Sequence, residues 1–180
     1  MEAIECITTR RSVRRYSDKP VTDEVLKSIV DAARFAPSWR NSQTVSYIAV
    51  RDPSLKQQIA EQGTLGHANN TKIISMASVV VVVVSKKGIS GYEPDGSFTT
   101  PNGTHWTSFD AGIATEAFCL AAHNYGVGSV ILGIIDSAKI AHLLGLSDDV
   151  QVSTLVPLGY PSKAHFAPPR KEVSELLSIR

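Results

Sequence analysis

The sequence has few cysteines, no long apolar segment and almost no excess of charge. Its 180 residues include two cysteines, Cys6 and Cys119, which are too few for a disulfide framework or a Cys-based zinc site and are typical of a reducing compartment. The longest aliphatic run, Val79 to Val84, is far shorter than the ~20 residues that span a bilayer. Because acidic residues follow Met1 where a signal peptide has basic ones, we expect a cytoplasmic protein without a membrane partner.

Charge and motif content exclude further classes of protein. Lys and Arg number 18 against 17 for Asp and Glu, a net charge of +1 that argues against a nucleic-acid partner. The GxxxxGK[ST], GxSxG and HExxH motifs are missing, and the five histidines, His165 among them, show no metal-ligand spacing. The stretch Gly126-Val127-Gly128-Ser129 lacks the third glycine of a dinucleotide fingerprint. No nucleophile, general base or metal site is evident, and the length predicts one domain over residues 1–180.

Hydrophobic periodicity predicts two long helices and one buried strand. Helical spacing begins after Thr22, a favourable N-cap, and ends near Ala36-Pro37, because the residue before a proline disfavours the helical conformation. An Ala-rich helix is predicted from Phe109 to Tyr125, with Gly126 as its C′ residue. Val79 to Val84 has no polar alternation, so both faces of this strand must be covered. The fold class is therefore α/β or α+β.

Shorter elements and one long loop are predicted between these. Ser54 and Ser137 are each expected to cap a short helix, the second closed by Gly145. Three further strands and a helical turn are expected at Val45–Val50, Val127–Leu132, Val152–Leu158 and Val173–Leu177. Residues Lys86 to Ser108 are rich in Gly, Pro, Thr and Asn, and form either an aromatic lid over a site or a loop that its aromatic residues anchor to the body.

A basic cluster, Arg10-Arg11-Ser12-Val13-Arg14-Arg15, ends the helix that carries Ile4 and Ile7. Its guanidinium groups and hydroxyl can hold a phosphate by bidentate hydrogen bonds. Such short basic runs also serve as nucleic-acid patches or localisation signals. The simplest interpretation is a solvated surface turn, neutralised by nearby acids such as Asp18, Asp23 and Glu24.

The order of the motifs is more informative than any one of them. Seven segments follow one another at characteristic spacing, and they are Arg10-Arg11-Ser12-Val13-Arg14, Ala36-Pro37-Ser38 with Asn41 and Gln43, the Val-rich strand, Asp110-Ala111-Gly112-Ile113-Ala114, Gly126-Val127-Gly128-Ser129, Val156-Pro157-Leu158-Gly159-Tyr160-Pro161 and Pro169-Arg170-Lys171. In this order the sequence resembles the nitroreductase-like FMN-dependent oxidoreductases over nearly its whole length.

The resemblance implies an α+β fold with a central, mainly antiparallel sheet flanked by helices, and FMN at the interface of a homodimer. It implies an enzyme that transfers hydride from NAD(P)H through flavin N5 to a nitroaromatic, a quinone or a related small-molecule acceptor. In such an enzyme the bound cofactor carries the chemistry, so no catalytic side chain is assigned and solvent supplies protons.

The resemblance also implies a set of cofactor contacts. Arg10 and Arg170 correspond to phosphate ligands, with Arg11 and Lys171 as weaker candidates, while Ser12 contacts FMN and Arg14 reaches the polar edge of the isoalloxazine. The positions that correspond to a loop from the partner subunit are Ser38, Asn41 and Gln43. Near the pyrimidine side stand Asn69 and Lys72, with Asn70 as a competing candidate, and the main chain of Ile131, Leu132 and Gly133 lies along the ring.

Several residues depart from the family pattern. Thr44-Val45 follows Gln43 where Pro-Trp is common, Trp39-Arg40 adds bulk and charge to the loop, and Glu116 stands where glutamine is frequent. We take Trp39, Tyr92 and Trp106 as candidate substrate contacts. The alternative function is a non-catalytic FMN-binding or flavin-storage module whose substrate face is closed.

Overall fold

The computed structural model describes residues 1–163 and 166–180. Within this part of the chain the helices are α1 (Ala3–Thr9), α2 (Asp23–Ala33), α3 (Pro53–Gln62), α4 (Ala68–Met76), α5 (His105–Asn124), α6 (Ser137–Leu143) and α7 (Val173–Leu176), and the strands are β1 (Val45–Val50), β2 (Val79–Lys86), β3 (Gly128–Ser129) and β4 (Val150–Gly159). A short 3₁₀ turn covers Trp39–Asn41. None of the helices in these residues is both long and apolar enough to cross a membrane.

The four strands form one antiparallel sheet in the order β1-β2-β4-β3. Strand β2 therefore has a neighbour on each side, and its ladder with β4 contains an irregularity between Val83 and Val84. With helices on both faces of this sheet, the predicted α+β fold with an antiparallel sheet is confirmed.

Two hydrophobic cores lie on the two faces of β2. Val79, Val81 and Val83 pack toward α2 and α5, where Phe118 is fully buried. The alternate valines pack toward α3, α4 and α6, represented by Ile59, Ile74 and Ile140. Successive residues of a strand point to opposite faces, so a run of valines contributes to both cores. The predicted burial of this strand on both faces is confirmed.

Most differences from the predicted elements lie at their ends. Helix α5 begins at His105, so the preceding loop covers residues 87–104 and not 86–108. Helix α2 ends at Ala33, before the expected Ala36. Ser54 and Ser137 are not caps, because the carboxylates of Asp52 and Asp136 accept hydrogen bonds from the first-turn N–H groups of Leu55 and Lys139.

Strand β3 is shorter than the expected Val127–Leu132 because its partner strand contains a proline. In the register that pairs Gly128 with Gly159 and Leu132 with Leu155, Val130 lies opposite Pro157. Proline has no N–H to donate, so the ladder is interrupted there. The carbonyl oxygen of Pro157 instead accepts a hydrogen bond of 3.1 Å from the hydroxyl of Tyr16.

The arginine-rich segment is attached to this same edge of the sheet. The N–H of Val13 donates to the carbonyl of Ser129 at 2.8 Å, and Ser12 forms a parallel bridge with Ser129. The hydroxyl of Tyr16 also donates to the carbonyl of Val13 at 2.8 Å. Burial raises the pKa of Tyr16 well above its usual range, so the hydroxyl remains a donor. Residues 10–16 are thereby held against residues 127–130.

Gly128 is required at this junction because a side chain has no space there. A Cβ atom at Gly128 would lie 2.7 Å from three side-chain atoms of Val13. We expect Gly128→Ala to lower the free energy of unfolding by about 1–3 kcal/mol through overpacking. Gly133→Ala is the matched control, because no atom lies within 4 Å of its Cβ position. Urea unfolding of the two variants without added cofactor tests the expectation, and equal stabilities would contradict it.

Candidate functional site

The largest of the described cavities lies between α4 and the segment that follows β3. Its volume is about 510 Å³, and we call it the main cavity. Its polar lining comes from Arg14, Arg15, Asn69 and Lys72, and residues 130–134 form one wall. This volume is within the range of small-molecule and cofactor sites in general.

The main cavity has an excess of positive charge. Arg14, Arg15 and Lys72 all line it, and none of them forms an ion pair with another residue in the described part of the chain. Asn69 and Asn70, the competing candidates, both line the main cavity, but the buried amide of Asn70 donates to the carbonyl of Ile134 at 3.2 Å. Asn70 thus fixes α4 to the opposite wall, whereas Asn69 is exposed in the cavity lining.

The wall after β3 offers main-chain donors. Leu132 exchanges backbone hydrogen bonds with Leu155, so its own N–H points toward β4. In a strand the neighbouring N–H groups point the other way. Within the described residues, the N–H groups of Ile131 and Gly133 have no hydrogen-bond acceptor. Gly133 has open space around its Cβ position, so a planar group can approach this backbone closely.

A second cavity, which we call the arginine cavity, continues along the same two segments. Its volume is about 340 Å³, and it is lined by Thr9, Arg10, Arg11, His123, Lys163 and residues 126–129. The main cavity is lined by the residues that come next in the same two segments, Arg14 and Arg15 of the arginine-rich segment and residues 130–134 after β3. The two cavities are therefore consecutive along one edge of the sheet, with Ser12 between their arginines.

The donors of the arginine cavity suit an anion. Arg10 Nε is buried without a hydrogen-bond acceptor, although it lies 3.3 Å from Glu116 Oε1 in an ion pair of poor hydrogen-bond geometry. The guanidinium of Arg11 donates at 2.7 Å to the carbonyls of Thr8 and Arg10, at the end of α1. Guanidinium groups with unused N–H donors bind phosphate oxygens well.

His123 adds a neutral polar group beside these arginines. Its Nε2 lies 2.9 Å from the hydroxyl of Thr9. Burial, followed by the positive charges of Arg10 and Arg11, lowers the pKa of His123. The imidazole is therefore uncharged at neutral pH and can accept or donate one hydrogen bond per ring nitrogen.

A third group of predicted site residues lies apart from both cavities within one chain. We call residues 38–43 the Trp39 loop. Ser38 and Gln43 line a separate pocket of about 320 Å³ with Tyr47 and Asp110, and Asn41 lies on the exposed side of the loop. The structure does not bring the Trp39 loop to the main cavity of its own chain.

The 87–104 loop is attached to α5 through Trp106, while its own aromatic residues, Tyr92 and Phe98, contact each other. The rings of Trp39 and Trp106 lie 4.7 Å apart, and those of Tyr92 and Phe98 lie 5.0 Å apart. Tyr92 is half-buried, and the indole N–H of Trp106 donates to Thr100 at 2.7 Å. These contacts favour the anchoring interpretation of the loop over a mobile lid.

The predicted phosphate ligands of the C-terminal tail, Arg170 and Lys171, do not line either cavity in the described residues. Arg170 and Lys171 are exposed in the tail, where no contact with Arg10 is recorded for the described residues, but Ala167 lines the arginine cavity three positions before Arg170. His165 lies outside the described residues. In the remainder, no group of three or more His, Cys, Asp or Glu is arranged to hold a metal ion.

Sequence reasoning missed four basic side chains of the two linings. Arg15 belongs to the basic run, but the sequence pattern assigns it no separate role. Lys163 closely follows the Gly-Tyr-Pro segment, so its position in the sequence could have indicated a place near the site. His67 and His123 gave no signal, because His67 caps the unpredicted helix α4 and His123 faces the cavity only through the crossing of α5 and α1.

The electrostatic environment of His123 gives a direct prediction. We expect its imidazole to titrate below the ordinary histidine pKa of about 6.5. Arg11→Gln is expected to raise this pKa, because it removes a nearby positive charge. Histidine side-chain NMR across a pH series measures both values. Lys87→Gln, which removes a cation on the distant 87–104 loop, is the control, and an equal response to both substitutions would contradict the assignment.

Comparisons with known proteins identify the family of this chain. The model of the Nitroreductase family matches residues 7–63 and 64–160. A provisionally named NADH dehydrogenase/NAD(P)H nitroreductase of Archaeoglobus fulgidus is 35% identical over 164 residues, covering 89% of this chain and 86% of its own. The FMN reductase [NAD(P)H] of Bacillus subtilis is 30% identical, covering 94% and 70%. A provisionally named Desulfovibrio desulfuricans nitroreductase, solved in complex with FMN, is 26% identical with a TM-score of 0.80, covering 98% and 95%. The chain belongs to the Nitroreductase family, which confirms the resemblance seen in its motifs.

Proposed function

We propose that this protein is an FMN-dependent oxidoreductase that uses NAD(P)H to reduce a nitroaromatic, a quinone or a related acceptor. The observation that carries the proposal is the pairing of two consecutive cavities, one with unpaired cations beside free main-chain N–H groups and one with arginine donors. Together they suit a ligand with a planar polar ring at one end and a phosphate at the other. FMN has this shape and charge.

The residues of the main cavity would hold the ring of the cofactor. Bound there, FMN would supply hydride transfer at N5 between NAD(P)H and the acceptor. Arg14 and Lys72 stabilise negative charge on the N1–C2=O edge, and Asn69 offers an amide to the same side. The N–H groups of Ile131 and Gly133 are donors for the N5 side of the ring. No side chain has to act as a base, because solvent supplies the protons.

The residues of the arginine cavity would hold the phosphate. Arg10 has a buried N–H without an acceptor, and Arg11, Lys163 and His123 line the same space. We extend this group to Arg170 and Lys171, because Ala167 already brings the tail to the cavity wall. Ser12, placed between the two cavities, is positioned for the connecting ribityl chain.

A second copy of the chain completes the proposed site. Ser38, Asn41 and Gln43 do not reach the main cavity of their own chain, and large apolar side chains remain exposed, including Ile131 of the main cavity at 45% and Phe109, whose ring contacts Trp106, at 58%. A homodimer that places the Trp39 loop of one subunit over the main cavity of the other explains both features. The acceptor would then meet Trp39 and Trp106. We propose a cytoplasmic location, which suits the two free and buried thiols.

One spectroscopic experiment tests the proposed enzyme. The purified dimer is loaded with FMN under anaerobic conditions, and NADH or NADPH is added while the flavin absorbance is followed. We expect the absorbance to bleach and to return when a nitroaromatic or a quinone is added. A protein that takes up no FMN would refute the proposal. Flavin that stays oxidised in an excess of both donors would instead favour the storage module.

Subunit complementation tests the shared site. One variant carries Arg14→Ala with Lys72→Ala in the main cavity, and the other carries Ser38→Ala with Gln43→Ala in the Trp39 loop. A mixed dimer has one site with both defects and one site with neither, so we expect about half of the wild-type activity per dimer by two-fold symmetry. Differently tagged subunits allow the mixed dimer to be isolated. If its activity is only the mean of the two parents, each site belongs to one chain.

A further inference from the structure

The Trp39 loop has an unusual backbone conformation. Arg40, Asn41 and Gln43 have φ angles of 47°, 55° and 49°. Non-glycine residues rarely adopt this left-handed region, and it persists only where surrounding contacts hold it. Three such residues among four consecutive positions require a strong anchor. The loop also carries Ser38 and Gln43, which the proposed function places at the partner's cofactor.

The anchor is a buried carboxylate on α5. Asp110 is only 2% exposed, and both of its oxygens lie 3.0 Å from the N–H of Trp39. Its Oδ2 also accepts a hydrogen bond of 2.6 Å from the hydroxyl of Ser90. A buried carboxylate needs such donors, because an unpaired charge in the interior is costly. Asp110 therefore connects α5 to the start of the Trp39 loop and to the 87–104 loop.

Ser90 extends this connection to the other end of the Trp39 loop. Its Oγ lies 3.3 Å from the hydroxyls of both Ser42 and Thr44. Serine has one hydroxyl proton, and that of Ser90 is donated in the hydrogen bond to Asp110. Ser42 and Thr44 are therefore the donors in their contacts with Ser90. The three strained residues are thus flanked by Trp39, whose N–H binds Asp110, and by Ser42 and Thr44, whose hydroxyls bind Ser90.

Hydrogen bonds within the Trp39 loop also shape it, but they do not connect the loop to α5. They run from the N–H of Gln43 to the hydroxyl of Ser38 at 3.0 Å and from the N–H of Ser42 to the carbonyl of Trp39 at 2.8 Å. Arg40 forms a two-bonded ion pair with Glu93 at 3.0 and 3.2 Å, but its side chain is 58% exposed, and exposed pairs contribute little. The tilted contact between the rings of Trp39 and Trp106 fixes the ring of Trp39 and not its backbone. Helix propensity does not explain the residue either, since alanine favours a helix interior more than aspartate does.

We propose that Asp110 is a positioning residue for the reaction. It holds the Trp39 loop in its left-handed conformation and so sets where Ser38, Trp39 and Gln43 meet the partner subunit's cofactor and the acceptor. Asp110 itself touches neither of them. The inference rests on the proposed function for its effect on cofactor and acceptor, whereas its effect on the loop conformation stands on the hydrogen bonds alone.

The test compares two substitutions of the carboxylate with a control. Asp110→Ala removes both acceptors, whereas Asp110→Asn keeps one oxygen for the N–H of Trp39 and has an NH₂ group for Ser90. Asp148→Asn is the control, because that exposed carboxylate forms no hydrogen bond with the described residues. Measurements on the full-length dimer are the FMN dissociation constant, KM for a quinone acceptor against kcat, and the near-ultraviolet circular dichroism of the Trp39–Trp106 pair.

We expect Asp110→Ala to weaken FMN binding by about 10-fold or more, as the loss of a buried charged hydrogen bond implies. KM for the quinone should rise more than kcat falls, and the tryptophan signal should change. Asp110→Asn should restore most of each property, and Asp148→Asn should match wild type. If Asp110→Ala does not fold, Ser90→Ala replaces it with the same expected direction.

Two results separate this inference from the proposed function. Unchanged tryptophan signal, FMN affinity and KM in Asp110→Ala would overturn the positioning role even if the enzyme is active. A wild-type protein that binds no FMN would overturn the proposed function, and the tryptophan signal of the variants would then still decide whether Asp110 holds the loop.

Discussion

The structure depends first on the burial of β2 on both faces. Six consecutive valines leave this strand without a polar side, so helices must cover both surfaces of the sheet. Helices α2 and α5 cover one surface, and α3, α4 and α6 cover the other. This arrangement sets α4 opposite the segment after β3, and the main cavity is the space between them. The position of the site is thus a consequence of how the core is closed.

A proline in β4 interrupts the hydrogen bonding at the β3 edge of the sheet, where both cavities lie. Because Pro157 cannot donate to Val130, the β3 ladder is interrupted there. The carbonyl of Pro157 accepts a hydrogen bond from the hydroxyl of Tyr16, which also contacts the carbonyl of Val13. Strand alternation around the Leu132–Leu155 pair directs the N–H groups of Ile131 and Gly133 away from β4, so the arginine-rich segment is attached beside free main-chain donors.

The near-zero net charge conceals a strong local asymmetry. Arg10, Arg11, Arg14, Arg15, Lys72 and Lys163 line two consecutive cavities on one edge of a protein whose net charge is only +1. Such a concentration of cations favours a small anionic ligand over a long polyanion. A protein that binds a long polyanion spreads its positive charges across a wide surface. A solvated turn, the simplest interpretation of the basic run, does not account for the Nε of Arg10, which is buried and has no hydrogen-bond acceptor although it pairs with Glu116.

The sequence alone determined α2, α5, β2 and the presence of a basic cluster, because apolar periodicity, caps and β-branched runs act over a few residues. It did not reveal α4, whose apolar pattern is weak and whose cap is His67, nor the early end of β3, which depends on a proline in another strand. Only the tertiary structure decided which cations share a cavity and that Asp110 binds Trp39, 71 positions away. Hydrogen bonds and cavities of this kind join segments that are distant in the chain, so local pattern carries no information about them.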